Sequence, residues 1–136
     1  MEIILAENHG FCYGVKRAVE MANEAANSDG KSYTLGPIIH NPQVVGRLED
    51  KGVSPVQEVS DIEEGTMIIR SHGVGPAIYE EAEQKGLNIV DATCPHVKKA
   101  QQDAKSVIED GMTLVILGEK NHPEVKSINL WANNKG

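Results

Sequence analysis

Two cysteines and two histidines of this 136-residue chain recur in a register that chance does not explain. Cys12 opens Cys12-Tyr13-Gly14-Val15-Lys16-Arg17-Ala18, and Cys94 opens Cys94-Pro95-His96-Val97-Lys98-Lys99-Ala100. Leu35-Gly36-Pro37-Ile38-Ile39-His40 is answered by Leu117-Gly118-Glu119-Lys120-Asn121-His122. Cys12 and Cys94, Gly36 and Gly118, and His40 and His122 each stand 82 positions apart. After a slip of one residue, Pro42 and Val44 answer Pro123 and Val125. Self-similarity at a fixed offset is the signature of internal duplication.

The chemistry such residues can do follows from where they stand. Both cysteines open a helical pattern, where unpaired N–H groups and the helix dipole favour an anion. The thiolate is the form of cysteine that binds metal. Lys16 and Lys98, in the first turns, would add positive charge. A single cysteine is more often a small buried hydrophobe, so it is the repeat that singles this pair out. His72 lies in Ser71-His72-Gly73, with Gly75 and Pro76 close behind. Small residues there let backbone N–H groups approach an anion such as phosphate. Glu124, two positions past His122, is a candidate proton donor or relay. The plainer alternatives are loop histidines and a solvated glutamate at a helix start. His9 and His96 have no repeat partner and take no role.

Elements that would position these residues are legible as an alternation of strand and helix. Strands are expected at Ile3–Leu5, Ser32–Leu35, Thr66–Arg70, Leu87–Val90 and Thr113–Leu117 from their apolar, β-branched runs. Helical periodicity runs from Gly14 to about Asn27, with Asp29-Gly30 as its stop, and again through Val97, Ala100, Ala104, Val107 and Ile108 to Asp110-Gly111. Shorter helices are expected near Gln43–Asp50 and from Pro76, a good first helical residue, to about Lys85. The alternation predicts an α/β fold of repeated β-α units with mainly parallel sheet. Cys12, His40, His72, Cys94 and His122 each follow the end of an expected strand. Open α/β sheets bind ligands beyond the carboxyl ends of their strands.

Composition narrows the function classes. Thirteen Lys and Arg against 20 Asp and Glu leave a charge of -7, without the basic stripe of a nucleic-acid binder. No apolar run approaches the ~18–20 residues of a membrane span. The opening Met1-Glu2-Ile3-Ile4-Leu5 lacks a signal peptide's basic region, so a cytoplasmic protein is expected. Two widely spaced cysteines in that setting argue against a disulfide framework. Aromatic residues make up 4%, so Val, Ile, Leu and Ala must build the core.

The motifs Gly10-Phe11-Cys12-Tyr13-Gly14-Val15-Lys16-Arg17-Ala18, Gly36-Pro37-Ile38-Ile39-His40-Asn41-Pro42, Arg70-Ser71-His72-Gly73, Asp91-Ala92-Thr93-Cys94-Pro95 and Asn121-His122-Pro123-Glu124 occur in that order. Together they resemble the 4-hydroxy-3-methylbut-2-enyl diphosphate reductase family of the non-mevalonate isoprenoid pathway, from residue 1 to about 126. Tyr13 and Lys16 depart from the Ala and Asp common in that family. The resemblance implies three similar α/β units about a pseudo-threefold axis, each giving one cysteine to a central iron–sulfur cluster. Residues 1–92 would be the first unit and residues 93–136 the truncated start of the second. The Trp131–Gly136 stretch reads as a cut end.

By the same resemblance, Cys12 and Cys94 would ligate a [4Fe-4S] cluster that needs a third cysteine from outside this chain. His40, His72 and His122 would hold the diphosphate, and Glu124 with His122 would serve the protonation. Ferredoxin or flavodoxin would supply electrons, and the protein would be a monomer or homodimer. The isolated chain is expected to be inactive. Two other readings remain at this point. One is a thiol or metal module, with Cys12 and Cys94 binding zinc alongside histidines or forming a disulfide switch. The other is a phosphate-binding α/β domain with inert cysteines.

Overall fold

The computed structural model describes residues 1–28 and 30–136. Five α-helices and four strands appear among them: α1 Tyr13–Ala26, β1 Ser32–Leu35, α2 Pro42–Glu49, β2 Val53–Val56, β3 Thr66–Ile69, α3 Pro76–Gln84, β4 Asn88–Asp91, α4 Pro95–Glu109 and α5 Pro123–Trp131, with a 3-10 turn at Val59–Asp61. The sheet is wholly parallel, in the order β2-β1-β3-β4. The expected α/β architecture is what the chain forms.

Alternation along β3 divides the core in two. Ile68 faces one side, with Ala18, Ala22 and Ala25 of α1 and Leu48 of α2. Met67 and Ile69 face the other, with Val59, Ile62 and Ala82 of α3. All four β3 residues are buried, as befits a strand covered on both faces. The alanine face of α1 lets that helix lie close to the sheet. β1 connects outward to β2 through α2, and β3 connects outward to β4 through α3 on the opposite face. The order of connection therefore reverses between β1 and β3, which is the switch point where such sheets bind ligands.

Four helices start on proline: Pro42, Pro76, Pro95 and Pro123, each suited to the first helical position. The residues before them, Asn41, Gly75, Cys94 and His122, are N-caps. Cys12 caps α1. The sequence therefore fixes helix starts tightly, and functional candidates sit on them.

Two expected strands are absent. Ile3–Leu5 runs unpaired, with Ile4 83% exposed, and Thr113–Leu117 runs unpaired, with Leu117 95% exposed. Both have strand-like composition, but a strand exists only as part of a ladder, and none of the described strands lies beside them. Conversely β2 was not expected, because Pro55 interrupts its short run. Proline is tolerated there because β2 is an edge strand with only β1 beside it. The expected helix stop at Asp29-Gly30 lies partly outside the described residues. α1 ends at Ala26 with Asn27 as its cap. No helix among the described residues is long and apolar enough to cross a membrane.

Candidate functional site

His40 follows β1, His72 follows β3 and His122 caps α5, and all three meet at the switch point. Their ring centroids lie 4.8 Å apart for His40 and His72, 5.6 Å for His72 and His122, and 6.3 Å for His40 and His122. One nitrogen of each falls within 4.8 Å of the others. His40 is exposed and the other two are half-buried. The Glu124 backbone N–H donates to His122 Nδ1 at 3.2 Å, which assigns the proton of the neutral ring to Nε2.

His72 is the most perturbed of the three. Burial first, then the neighbouring charges of His40, Arg70 and His122, pull its pKa down from 6.5 to about 4. Its Nδ1 is buried and has no hydrogen-bond partner among the described residues. The Arg70 Nε is in the same position, and burial lowers the guanidinium from its ordinary range. Arg70 packs onto Gly36, where a Cβ would stand 2.7 Å from Nη1; Gly36 also has φ +72, so the position suits glycine twice over.

The helix starts that carry the two cysteines adjoin. The Cys94 Sγ rests on Gly14 in the first turn of α1, where any Cβ would overlap it. Cys12 caps that same turn and is exposed; Cys94 is half-buried, and both are free thiols. Neither side chain bonds the open N–H groups of its helix. Two unbonded thiols, on adjoining helix starts whose N–H groups are free to meet negative charge, suit an anionic iron–sulfur cluster. The group of three histidines includes neither cysteine nor Glu124, which weighs against zinc shared between thiols and imidazoles. The Glu124 carboxylate, in the first turn of α5, makes no hydrogen bond or ion pair among the described residues.

A few buried polar residues hold these loops in register. The Ser71 hydroxyl donates to Ile38 O at 3.4 Å, and Cys94 N–H donates to Ser71 O at 2.9 Å. Ser71, 6% exposed, thereby ties the His40, His72 and Cys94 loops together. Asp91 accepts from Thr93 N at 3.0 Å, from Tyr79 Oη at 3.1 Å and from Lys98 Nζ at 2.6 Å. Burial pushes the Asp91 carboxyl up, but the bonds from Lys98 and Thr93 outweigh it and leave it below its usual value. Lys98 therefore neutralises Asp91, which corrects the expectation that its charge serves Cys94. Between α4 and α5, Gln101 Nε2 donates to Ser127 Oγ, both buried, beneath Gly73. Trp131 Nε1 donates to Val74 O at 2.9 Å, which anchors the far end of α5 to the His72 loop.

Sequence reading singled out each of the six proposed site residues. It took Ser71 only as a small residue beside His72 and assigned no role to Gly14, Arg70 or Gln101, although Gly14 and Arg70 lie in quoted motifs. A glycine two positions after a repeated cysteine was the available signal for Gly14.

A family model described as LytB protein matches residues 3–136. The 4-hydroxy-3-methylbut-2-enyl diphosphate reductase of Geotalea uraniireducens is 54% identical over 135 residues, covering 99% of this chain and 48% of that protein. Its counterpart in Geobacter metallireducens is likewise 54% identical, with the same coverage. A solved structure described as that reductase, the terminal enzyme of the non-mevalonate pathway, superposes with TM-score 0.85 at 49% identity, over 97% of this chain and 47% of its own. The Plasmodium falciparum reductase structure gives TM-score 0.90 at 31% identity, over 95% and 41%. The chain thus spans about half the length of the curated relatives it matches.

Proposed function

The chain belongs to the LytB protein family, and on that footing we propose that it supplies the cysteine- and histidine-bearing half of a 4-hydroxy-3-methylbut-2-enyl diphosphate reductase. The reaction removes the allylic hydroxyl as water and adds two electrons and two protons overall, giving isopentenyl and dimethylallyl diphosphate. The single observation that best supports this is the convergence of His40, His72 and His122 at the switch point, with one nitrogen of each within 4.8 Å of the others. Imidazoles that donate hydrogen bonds and can take up protons suit a diphosphate.

Cys12 and Cys94 would hold two irons of a [4Fe-4S] cluster, with a third cysteine from the part of the relatives' length this chain does not span. Such a cluster would supply the electrons and a Lewis-acidic iron for the departing hydroxyl. Within this chain, His40, His72 and His122 bind and orient the diphosphate. His122 Nε2 carries the proton it offers, because Nδ1 is engaged by Glu124 N–H. Glu124, whose carboxylate has no partner among the described residues, delivers a proton to the substrate side. Residues 1–92 act as one unit and 93–136 as the opening of the next. A ferredoxin or flavodoxin is the electron donor, and the setting is cytoplasmic.

Anaerobic turnover by the full-length polypeptide tests the assignment. Glu124→Gln should lower kcat by about 10²–10⁴-fold, the usual worth of a positioned proton donor, with diphosphate affinity preserved. His40→Asn should act chiefly on KM. Wild-type kcat in Glu124→Gln would remove the glutamate from its role. Zinc in place of iron and sulfide in the purified protein would overturn the reductase reading itself.

A further inference from the structure

We propose that His40, His72 and His122 form a binding site for one borderline-soft divalent metal ion, of which Zn²⁺ is the type, separate from the cysteine pair. Each ring offers one nitrogen, and the three already lie within 4.8 Å of one another. A tetrahedral three-histidine zinc site places its nitrogens ~3.3 Å apart, from Zn–N bonds of ~2.0–2.1 Å. Small side-chain rotations bridge that difference. His40, which is exposed, is free to make the largest of them.

Two features fit the site to a metal as well as to an anion. The first is that His72 Nδ1 is buried without a partner among the described residues, so a lone pair or proton there is uncommitted. The second is that the ligands come from three separate elements, the loops after β1 and β3 and the start of α5. His122 must change tautomer to join them: Nδ1 accepts from Glu124 N–H, which puts the ring proton on Nε2, so binding metal at Nε2 moves that proton to Nδ1 and opens the Glu124 bond. Metal there would pin α5 against the sheet. Three protein ligands leave a fourth position open, the pattern of a reactive rather than a structural site. A nitrogen that binds metal cannot donate a hydrogen bond to a phosphate oxygen. Metal occupancy and the diphosphate contacts proposed above therefore exclude each other at every ligating nitrogen. That exclusion rests on the diphosphate reading, whereas metal binding does not.

The test is anaerobic zinc titration of the full-length protein by calorimetry, with zinc-edge X-ray absorption on the loaded sample. Zinc should bind one to one, with a nitrogen shell near ~2.0 Å and no sulfur shell near ~2.3 Å. Affinity should survive in Cys12→Ser/Cys94→Ser. It should fall at least about 100-fold in His40→Asn and in His72→Asn, beyond the loss of even an outer partner. The exposed His40 controls for misfolding of the half-buried His72 variant. A sulfur shell, or full zinc affinity in His40→Asn, overturns the proposal. Inorganic diphosphate chelates zinc, so its binding is measured separately in metal-free buffer. Loss of diphosphate binding in the same variants supports the diphosphate reading whatever zinc does. Zinc bound at the triad with no diphosphate binding sinks that reading alone.

Discussion

At the scale of single residues, His72 illustrates how burial sets chemistry. Its pKa of about 4 keeps the ring neutral at pH 7, against 6.5 for an ordinary histidine. The unfolded chain therefore binds more protons than the folded one between pH 4 and 6.5. Stability from this group is complete above pH 6.5 and is lost as pH falls toward 4. Replacing it should flatten part of that slope: His72→Gln is expected to lose less urea midpoint between pH 7 and pH 5 than the parent. Equal losses would show that His72 titrates normally. An arriving diphosphate should raise the same pKa, so binding should take up protons, read as a buffer-dependent calorimetric enthalpy. Side-chain types and spacing made His40, His72, His122 and both cysteines visible in the sequence. The roles of Arg70 and Gln101 were not visible, because they arise from packing against Gly36 and Gly73 rather than from any local pattern.

Between elements, the contact that matters is α1 against Cys94. Gly14 is helical, where alanine is ordinarily about 1 kcal/mol better than glycine. Here an added methyl overlaps the Cys94 Sγ. Gly14→Ala is accordingly expected to leave thermal stability level or slightly raised while iron and sulfide content falls in the full-length protein. A fully loaded Gly14→Ala protein would show that the sulfur can move aside freely. Helices were the more legible elements, through periodic alanine and valine and the Pro76 start, although the sequence reading gives no range for α5 at Pro123–Trp131. Strands were read less well. Composition can nominate Thr113–Leu117, but only a neighbouring strand can make it one, and composition does not say where the neighbours are.

For the whole molecule, the repeat gives those uncovered segments a meaning. Thr113–Leu117 corresponds to Lys31–Leu35 at the same 82-residue offset, and Ser32–Leu35 is the interior strand β1. In a polypeptide of the relatives' length, this segment is expected to enter a second sheet. The 136 residues alone should therefore bind a hydrophobic dye at Val115, Leu117 and Ile3–Leu5, which are 74%, 95% and 76–83% exposed. They should also show no reductase turnover. Wild-type-like turnover from these residues by themselves would overturn the expectation that a third cysteine is needed.

The four strands of the described residues lie between residues 32 and 91, so this sheet can form before Cys94 is reached. That order has a consequence in time. At ~5–20 residues per second of synthesis, residues 92–136 take roughly 2–9 s to emerge. Many small domains fold faster than that. The first half of the site can therefore be standing, with Gly14 already in its helix, when the second cysteine leaves the ribosome and finds its seat.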